Sequence, residues 1–521
     1  MKKSILAIAL VLVGLFCIKV KSLIMMMTML LQQEVGTLTN SKIICKEQLS
    51  VVALSSNSTN MKPIIFKSAS DNTYLYSPVK SIFMPISPDI ARAIEEENIN
   101  NPSFVYLRDN GYLENMVLEF DTRISGEHIR EAISNLTQVV FEVTTACNMK
   151  CKYCCYGEGY TTFQNRAKGN LSFEKAKAML DYISVELHSK KNMSTDTKFA
   201  ISFYGGEPLL NINLIKQIVE YAKTLDFKGR RLNFSMTSNA IHLAEHMDYL
   251  KENDFHLLVS LDGSQEHNKY RIYPNDQETF ADVISNLKKV QKKYPDWFKT
   301  IRFNSVYTNL SDVKEIIHFF RTEFNRIPTF SPLHSTCQDA VEYQTINAMM
   351  KDIVIPEEFE EDIELLPKNP KVKLVYDLIM KSSFNFFITE NDMLETERYV
   401  NILPTGTCIP FSKRLFVDYN GGIHPCEKVC RDKPLGYVDT TVYLPFDQIA
   451  DDYNHLLQKM IPQCKKCYRQ KTCTYCLKER DTNCNDFYNK NRFAKLLSDS
   501  MSYIEQHPNI FDHIKRHLVI R

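Results

Sequence analysis

The residues best suited to chemistry in this 521-residue chain are its cysteines, fifteen in all. Cys147, Cys151, Cys154 and Cys155 crowd one short stretch. Cys408, Cys426, Cys430, Cys464, Cys467, Cys473, Cys476 and Cys484 crowd another, and Cys17, Cys45 and Cys337 are scattered. Small secreted scaffolds spread bridges through a short chain. Two dense clusters in a long chain point instead to metal or iron–sulfur ligation in a reducing compartment. The first cluster reads C-x3-C-x2-C. Three thiolates on one tight loop suit three irons of a [4Fe–4S] cube and leave the fourth iron open. A zinc ion would want a fourth ligand, and Cys155, adjacent to Cys154, cannot easily face the same metal. The second cluster holds two C-x2-C pairs, Cys464/Cys467 and Cys473/Cys476, which a zinc ribbon would also show.

A second candidate feature is Gly205-Gly206-Glu207-Pro208. The chain has only 15 glycines, and a Gly-Gly pair lets backbone approach a ligand closely. Glu207 beside it can hold an ammonium group.

Periodicity shows which elements carry these loops. From 136 to 335, strand-like runs alternate with helix-like ones: Val139–Val143, Phe199–Tyr204, Leu232–Met236, Leu257–Leu261, Ile301–Val306 and a sixth near Thr329–Phe330. The intervening helices begin with Phe173–Leu187, behind Ser172 as N-cap. Repeated βα units imply a parallel sheet with right-handed crossovers. The stretch is short of the roughly 250 residues of an eight-unit barrel, so an open six-unit barrel is expected. Both chemical motifs then fall at the carboxyl ends of consecutive strands, where barrel active sites sit.

Residues 61–135 read as a small α/β module, with β-prone runs at 74–76 and 82–84 and a helix from Asp89. Residues 336–407 read as a polar helical bridge with a solvated acidic run, and 408–521 as a cysteine-rich region with a helical tail. Residues 1–60 hold an apolar run from Ile5 to Ile18 behind two lysines. Three readings compete there: a membrane anchor, an export signal, and a start codon set too far upstream, with Met61 the true start. Membrane contact is expected only through residues 1–31, and otherwise a cytoplasmic enzyme. Apolar residues make up 44% and charged residues 24%, which excludes a disordered chain, a collagen or a polytopic membrane protein. With 63 basic and 62 acidic residues the net charge is +1, so no nucleic-acid partner is expected.

Together, Cys147-x3-Cys151-x2-Cys154 and Gly205–Pro208 resemble the radical S-adenosylmethionine (SAM) superfamily. The resemblance implies a partial (β/α)6 barrel whose three-cysteine loop holds a reducing [4Fe–4S] cluster. It also implies that Gly205, Gly206 and Glu207 bind the methionyl amine of SAM, and that Tyr153 lies near the adenine. Asn239 stands where the family often has Thr-Asn-Gly. Ser260-Leu261-Asp262-Gly263, then His267 and Arg271, resembles the subgroup that modifies proteins and peptides; by that resemblance Ser260 and Arg271 contact the cofactor. Cys408 through Cys484 are similar to the SPASM extension, which carries auxiliary [4Fe–4S] clusters. Family topology gives Cys408, Cys426 and Cys476 to one auxiliary cluster, and Cys464, Cys467, Cys473 and Cys484 to another. Cys430 either closes the first or is idle. Glu427 follows Cys426, where sulfatase-maturing relatives have an Asp that accepts a substrate proton. The implied function is modification of a ribosomally made precursor peptide, forming a thioether or carbon–carbon crosslink, with flavodoxin or ferredoxin as electron donor. Sulfatase maturation is the alternative within the superfamily, and a non-catalytic iron–sulfur or zinc scaffold the alternative outside it.

Overall fold

The computed structural model describes residues 61–120, 124–156, 168–333, 340–359, 362, 365, 369–380, 386–387, 401–429, 431–478, 484–510 and 512. The expectations for residues 1–60 and for Cys430 lie outside the described residues.

The N-terminal apolar runs form an antiparallel sheet of β1 (Ile64–Lys67), β2 (Thr73–Ser77) and β3 (Ile82–Ile86). Two helices follow, Pro88–Glu95 and Pro102–Asp109. The side chains of Ser87 and Asn101 cap them, and proline opens each where a missing N–H costs nothing. The inner face of the sheet, Ile64, Phe66, Tyr74 and Tyr76, packs against Val375 and Leu378 and against Phe493, Leu497, Met501 and Ile504 of the tail helix Lys490–Gln506. The module thus shares its core with the far end of the chain. Polar contacts fasten the same seam: Ala69 N–H donates to Ser502 Oγ at 2.7 Å, and Asn72 Nδ2 to Glu505 Oε1 at 3.0 Å.

The large sheet grows outward from β4 (Gln138–Thr144), whose apolar residues are buried on both faces, as parallel strands require. β5 (Lys198–Gly205), β6 (Arg231–Ser238), β7 (His256–Ser260), β8 (Arg302–Tyr307) and β9 (Thr329–Pro332) follow in parallel and in chain order. Helices Phe173–Leu187, Ile212–Ala222, Leu243–Glu252, Phe280–Lys293 and Val313–Phe324 make the crossovers. Ser172 and Asp312 cap the first and last of these, and Asn325, in the left-handed region at φ 53°, ends the last. This is the open six-stranded half-barrel expected from the alternation.

The sheet does not stop at β4. A short pair, β10 (Phe386–Phe387) and β11 (Asn401–Ile402), lies apart. The fully buried β12 (Leu415–Val417) then joins β4 in parallel, pairing Leu415 with Val139. β13 (Gly422–His424), β14 (Gly436–Val438) and β15 (Val442–Tyr443) continue as an antiparallel meander, giving ten strands. The cysteine-rich region is therefore an extension of the half-barrel's own sheet. Among the described residues no helix is long and apolar enough to cross a membrane.

Candidate active site

Because β4 to β7 are parallel, their carboxyl ends open at one edge, and the loops leaving them meet there. The loop after β4 carries Cys147, Cys151 and Cys154. It is stitched to the loop after β7: Lys150 N–H donates to Ile272 O at 2.7 Å and Lys152 N–H to Tyr270 O at 3.0 Å. Cys147 lies at the surface, while Cys151 and Cys154 are half-buried. Burial pushes the Cys151 and Cys154 thiols up, and the charges of neighbouring cysteines add to this at Cys154. Three thiols this crowded favour ionisation only around a cation.

Tyr153 is buried and donates its hydroxyl to Asp262. Asp262 also accepts from Arg271 Nη2 at 3.1 Å and from Val306 N–H at 3.0 Å. The Arg271 guanidinium lies over the Tyr153 ring at 5.5 Å. The buried cation is thus neutralised by Asp262, and its field opposes the rise of the Cys151 thiol. Ser260 ends β7 opposite Asn304, half-buried. His267 is buried rather than a surface residue; its Nδ1 lies 2.9 Å from Ser264 Oγ.

Gly205 and Gly206 are needed because the chain approaches itself. A Cβ on Gly205, at φ 141°, would stand 2.2 Å from Thr144 O, and one on Gly206 2.0 Å from Ala146 O. The end of β5 is thereby pressed against the root of the cysteine loop, with Glu207 N–H donating to Ala146 O at 2.8 Å. The Glu207 side chain is buried and already engaged. Its Oε1 accepts from Leu209 N–H at 3.1 Å and Ser238 Oγ at 2.9 Å, and its Oε2 from Asn239 N–H at 2.7 Å. Asn239 Nδ2 in turn donates to Asn148 Oδ1 at 2.7 Å and lies 3.9 Å from Cys147 Sγ. Glu207 therefore acts as a bracket between β6 and the cysteine loop.

The C-terminal cysteines fall into two groups by the fields they exert on one another. Cys426 feels Cys408 and Cys476. Cys464 feels Cys473, Cys467 and Cys484. The second group lines a small cavity together with Thr405, Met460 and Gln470. Cys464 ends the helix Phe446–Cys464, and Gln463 beside it donates to Cys484 O at 2.9 Å. Among the described residues no three His, Cys, Asp or Glu side chains converge as one ion would demand. A single zinc draws its ligands to within about 2.3 Å of one point, whereas a cube spreads its thiolates over separate irons. Three thiols on one loop and four around one cavity are all-sulfur donor sets of the kind that hold iron–sulfur cubes.

Glu427 accepts from Arg414 Nη1 at 2.8 Å through Oε1, while Oε2 is buried without a hydrogen-bond partner among the described residues. Its field reaches Tyr156 and Tyr204 as well as Cys426. These two tyrosines meet edge to face, ring centroids 6.1 Å apart, between the first cysteine loop and Glu427. Arg431 donates to Tyr156 Oη at 2.7 Å and forms an ion pair with the fully buried Glu142 of β4. Sequence reasoning missed Glu142, Tyr156, Tyr204 and Arg431. One signal was available: a lone glutamate inside Val-Val-Phe-Glu-Val must have a cationic partner if that strand is buried.

Residues 141–320 match the family described as the radical SAM superfamily. These residues form a radical SAM domain. The chain's cysteine-rich C-terminal region is of the SPASM type, and the protein is an iron–sulfur, oxidoreductase-like enzyme that uses SAM and [4Fe–4S] clusters. It is 21% identical over 408 residues to a cysteine-type anaerobic sulfatase-maturating enzyme of Clostridium novyi, spanning 75% of this chain and 100% of that one. It is 28% identical over 156 residues to the uncharacterized protein MJ0907 of Methanocaldococcus jannaschii, spanning 30% of this chain and about half, 49%, of that relative. A solved structure described as native anSMEcpe with bound AdoMet shares the fold, with 18% identity, a TM-score of 0.50, and coverage of 73% of this chain and 99% of that one.

Proposed function

We propose that this radical SAM enzyme modifies a ribosomally made peptide, forming a thioether or carbon–carbon crosslink. Cys147, Cys151 and Cys154 hold the reducing cluster, and Tyr153, Gly205, Gly206, Asn239, Ser260 and Arg271 line the SAM site. Glu207 serves that site by holding Asn239 and the cysteine loop in place. SAM held there would supply radical chemistry for hydrogen abstraction from a peptide carbon, with one electron from a flavodoxin or ferredoxin. Cys408, Cys426 and Cys476 would hold one auxiliary cluster, and Cys464, Cys467, Cys473 and Cys484 a second, and an auxiliary cluster would take the second electron as the crosslink forms. Glu427, with one carboxylate oxygen anchored by Arg414 and the other without a hydrogen-bond partner among the described residues, accepts a proton from the substrate. Residues 61–135 recognise a remote segment of the precursor, which can add as a strand along the outer edge of β3.

The observation that supports this reading is the division of the thiols into one set of three on the loop after β4 and two further sets in the C-terminal region. Sulfatase maturation, oxidation of a Cys or Ser to formylglycine, is the second reading. Similarity over the whole length of the Clostridium novyi relative favours it. The sheet and helices that precede Cys147 favour the first, since an enzyme that binds its target only at the reacting residue has no need of them.

Anaerobically reconstituted protein should bind about twelve irons. Replacing Cys147, Cys151 and Cys154 together by Ala should remove about a third of that iron and abolish SAM cleavage. Mass spectrometry of candidate precursors and of sulfatase-derived Cys and Ser peptides separates the two readings. Loss of two hydrogens with no aldehyde supports a crosslink, and an aldehyde trapped by a hydrazine supports maturation. SAM cleavage surviving the triple change overturns both.

A further inference from the structure

Between Cys467 and Cys473 run Tyr468, Arg469, Gln470, Lys471 and Thr472. Two of these side chains cross to the opposite end of the chain. Lys471 Nζ donates to Pro78 O at 2.8 Å, to Val79 O at 3.0 Å and to Ser81 Oγ at 2.5 Å. Those three acceptors use all three ammonium protons, and all belong to the turn that joins β2 to β3. Ser81 sits in that turn at φ 53°, a left-handed conformation that a non-glycine residue keeps only when its surroundings hold it. The Tyr468 hydroxyl accepts from Lys62 N–H at 2.9 Å and donates to Lys62 O at 3.1 Å. Its ring packs on Phe493, centroids 5.9 Å apart, and Phe493 packs on Tyr76 at 5.3 Å.

The cysteine loop has little slack on its other side. Tyr468 N–H donates to Tyr488 O at 2.9 Å, and the buried Gln470 donates through Nε2 to Leu403 O at 2.8 Å. Gly406 lies so near that a Cβ there would stand 2.3 Å from Cys473 O. A shift of the β2–β3 turn is therefore passed to the backbone between Cys467 and Cys473.

We infer that Lys471 and Tyr468 are positioning residues for the second auxiliary cysteine set, fixing its loop to the N-terminal sheet so that order in the sheet and iron–sulfur occupancy of Cys464, Cys467, Cys473 and Cys484 are linked. A group that binds only the ordered loop stabilises whatever that loop is bonded to. By reciprocity, anything that binds and orders the sheet strengthens retention of the cluster without touching it. The inference rests on the reading that those four thiols hold a cluster. The double variant Cys464→Ala, Cys467→Ala tests that reading by itself, through loss of one cluster's iron.

The test uses the full chain, reconstituted anaerobically with iron and sulfide. Hydrogen exchange of residues 73–86 is followed by mass spectrometry, and iron release to a chelator by absorbance. In Lys471→Met, the amides of 77–86 should exchange about tenfold faster, as should those of wild-type protein stripped of its iron. One cluster's iron should leave several-fold faster than in wild type, with its paramagnetic signal altered. SAM cleavage, which depends on the Cys147 loop, should be unchanged. Lys471→Arg should restore part of both effects. Tyr468→Phe, which removes one hydroxyl and keeps the ring on Phe493, gives the same readouts should the lysine variant fail to fold. Equal exchange at 73–86 in loaded, stripped and variant protein, or an unchanged iron-release rate, overturns the inference.

Discussion

Replacing Glu207 by Gln separates two roles that the sequence alone leaves merged. If the carboxylate exists to meet an incoming ammonium, the amide weakens SAM binding and leaves the SAM-free protein as stable as before, or more so, because a buried charge is gone. The geometry argues otherwise. Three buried donors, Leu209 N–H, Ser238 Oγ–H and Asn239 N–H, converge on the two oxygens. An amide in the same place has one acceptor. It will turn that oxygen toward Leu209 and Ser238, which keeps two bonds, and set its NH2 against Asn239 N–H, donor against donor. One buried hydrogen bond is lost and one donor is left without a partner, at a cost of about 1–3 kcal/mol. The displaced Asn239 carries its contact with Asn148 along with it, and so disturbs the loop beside Cys147. Urea unfolding of the SAM-free, cluster-loaded variant should therefore give a lower midpoint at an unchanged slope. The paramagnetic signal of the first cluster should shift as well. A variant that unfolds at the wild-type midpoint and shows an unaltered signal, while binding SAM less tightly, would falsify the bracket and restore the direct ammonium contact.

Two further outcomes can be measured. Arg431→Met strands Glu142, which has no solvent exposure, without its cation; the cost should be about 3–5 kcal/mol by denaturant unfolding, largely recovered in the Glu142→Gln, Arg431→Met double variant. Additive losses in that cycle would show that the pair is not coupled. Cys430→Ala should alter the potential and the paramagnetic spectrum of the first auxiliary cluster if Cys430 completes its ligand set. An unchanged spectrum with full iron content makes Cys430 a bystander and leaves seven auxiliary ligands.

Local sequence was sufficient for the parallel half-barrel. Buried parallel strands must be apolar on both faces and their crossover helices on one, so runs such as Phe199–Tyr204 and the spacing of Ala176, Leu180 and Ile183 announce themselves within a dozen residues. The cysteine chemistry was legible for a similar reason: C-x3-C-x2-C confines three thiols to one loop whatever the rest of the chain does. Long-range pairing carried no such mark. β12 is three apolar residues, Leu415–Val417, and nothing in them says that they extend the half-barrel's sheet alongside Val139–Phe141. The partners of Glu142 and of Lys471 lie hundreds of residues away, at Arg431 and in the turn after Ser77. Even the two glycines changed meaning, because their need for space comes from Thr144 at the end of another strand and Ala146 in the loop that follows it. Sequence by itself determined which side chains can do chemistry and which local elements carry them, since both depend on neighbours within a turn or a strand. Only the tertiary structure decided which buried charges pair, which thiols share a field and which end of the chain braces them, because those energies depend on burial and distance, which a linear pattern does not encode.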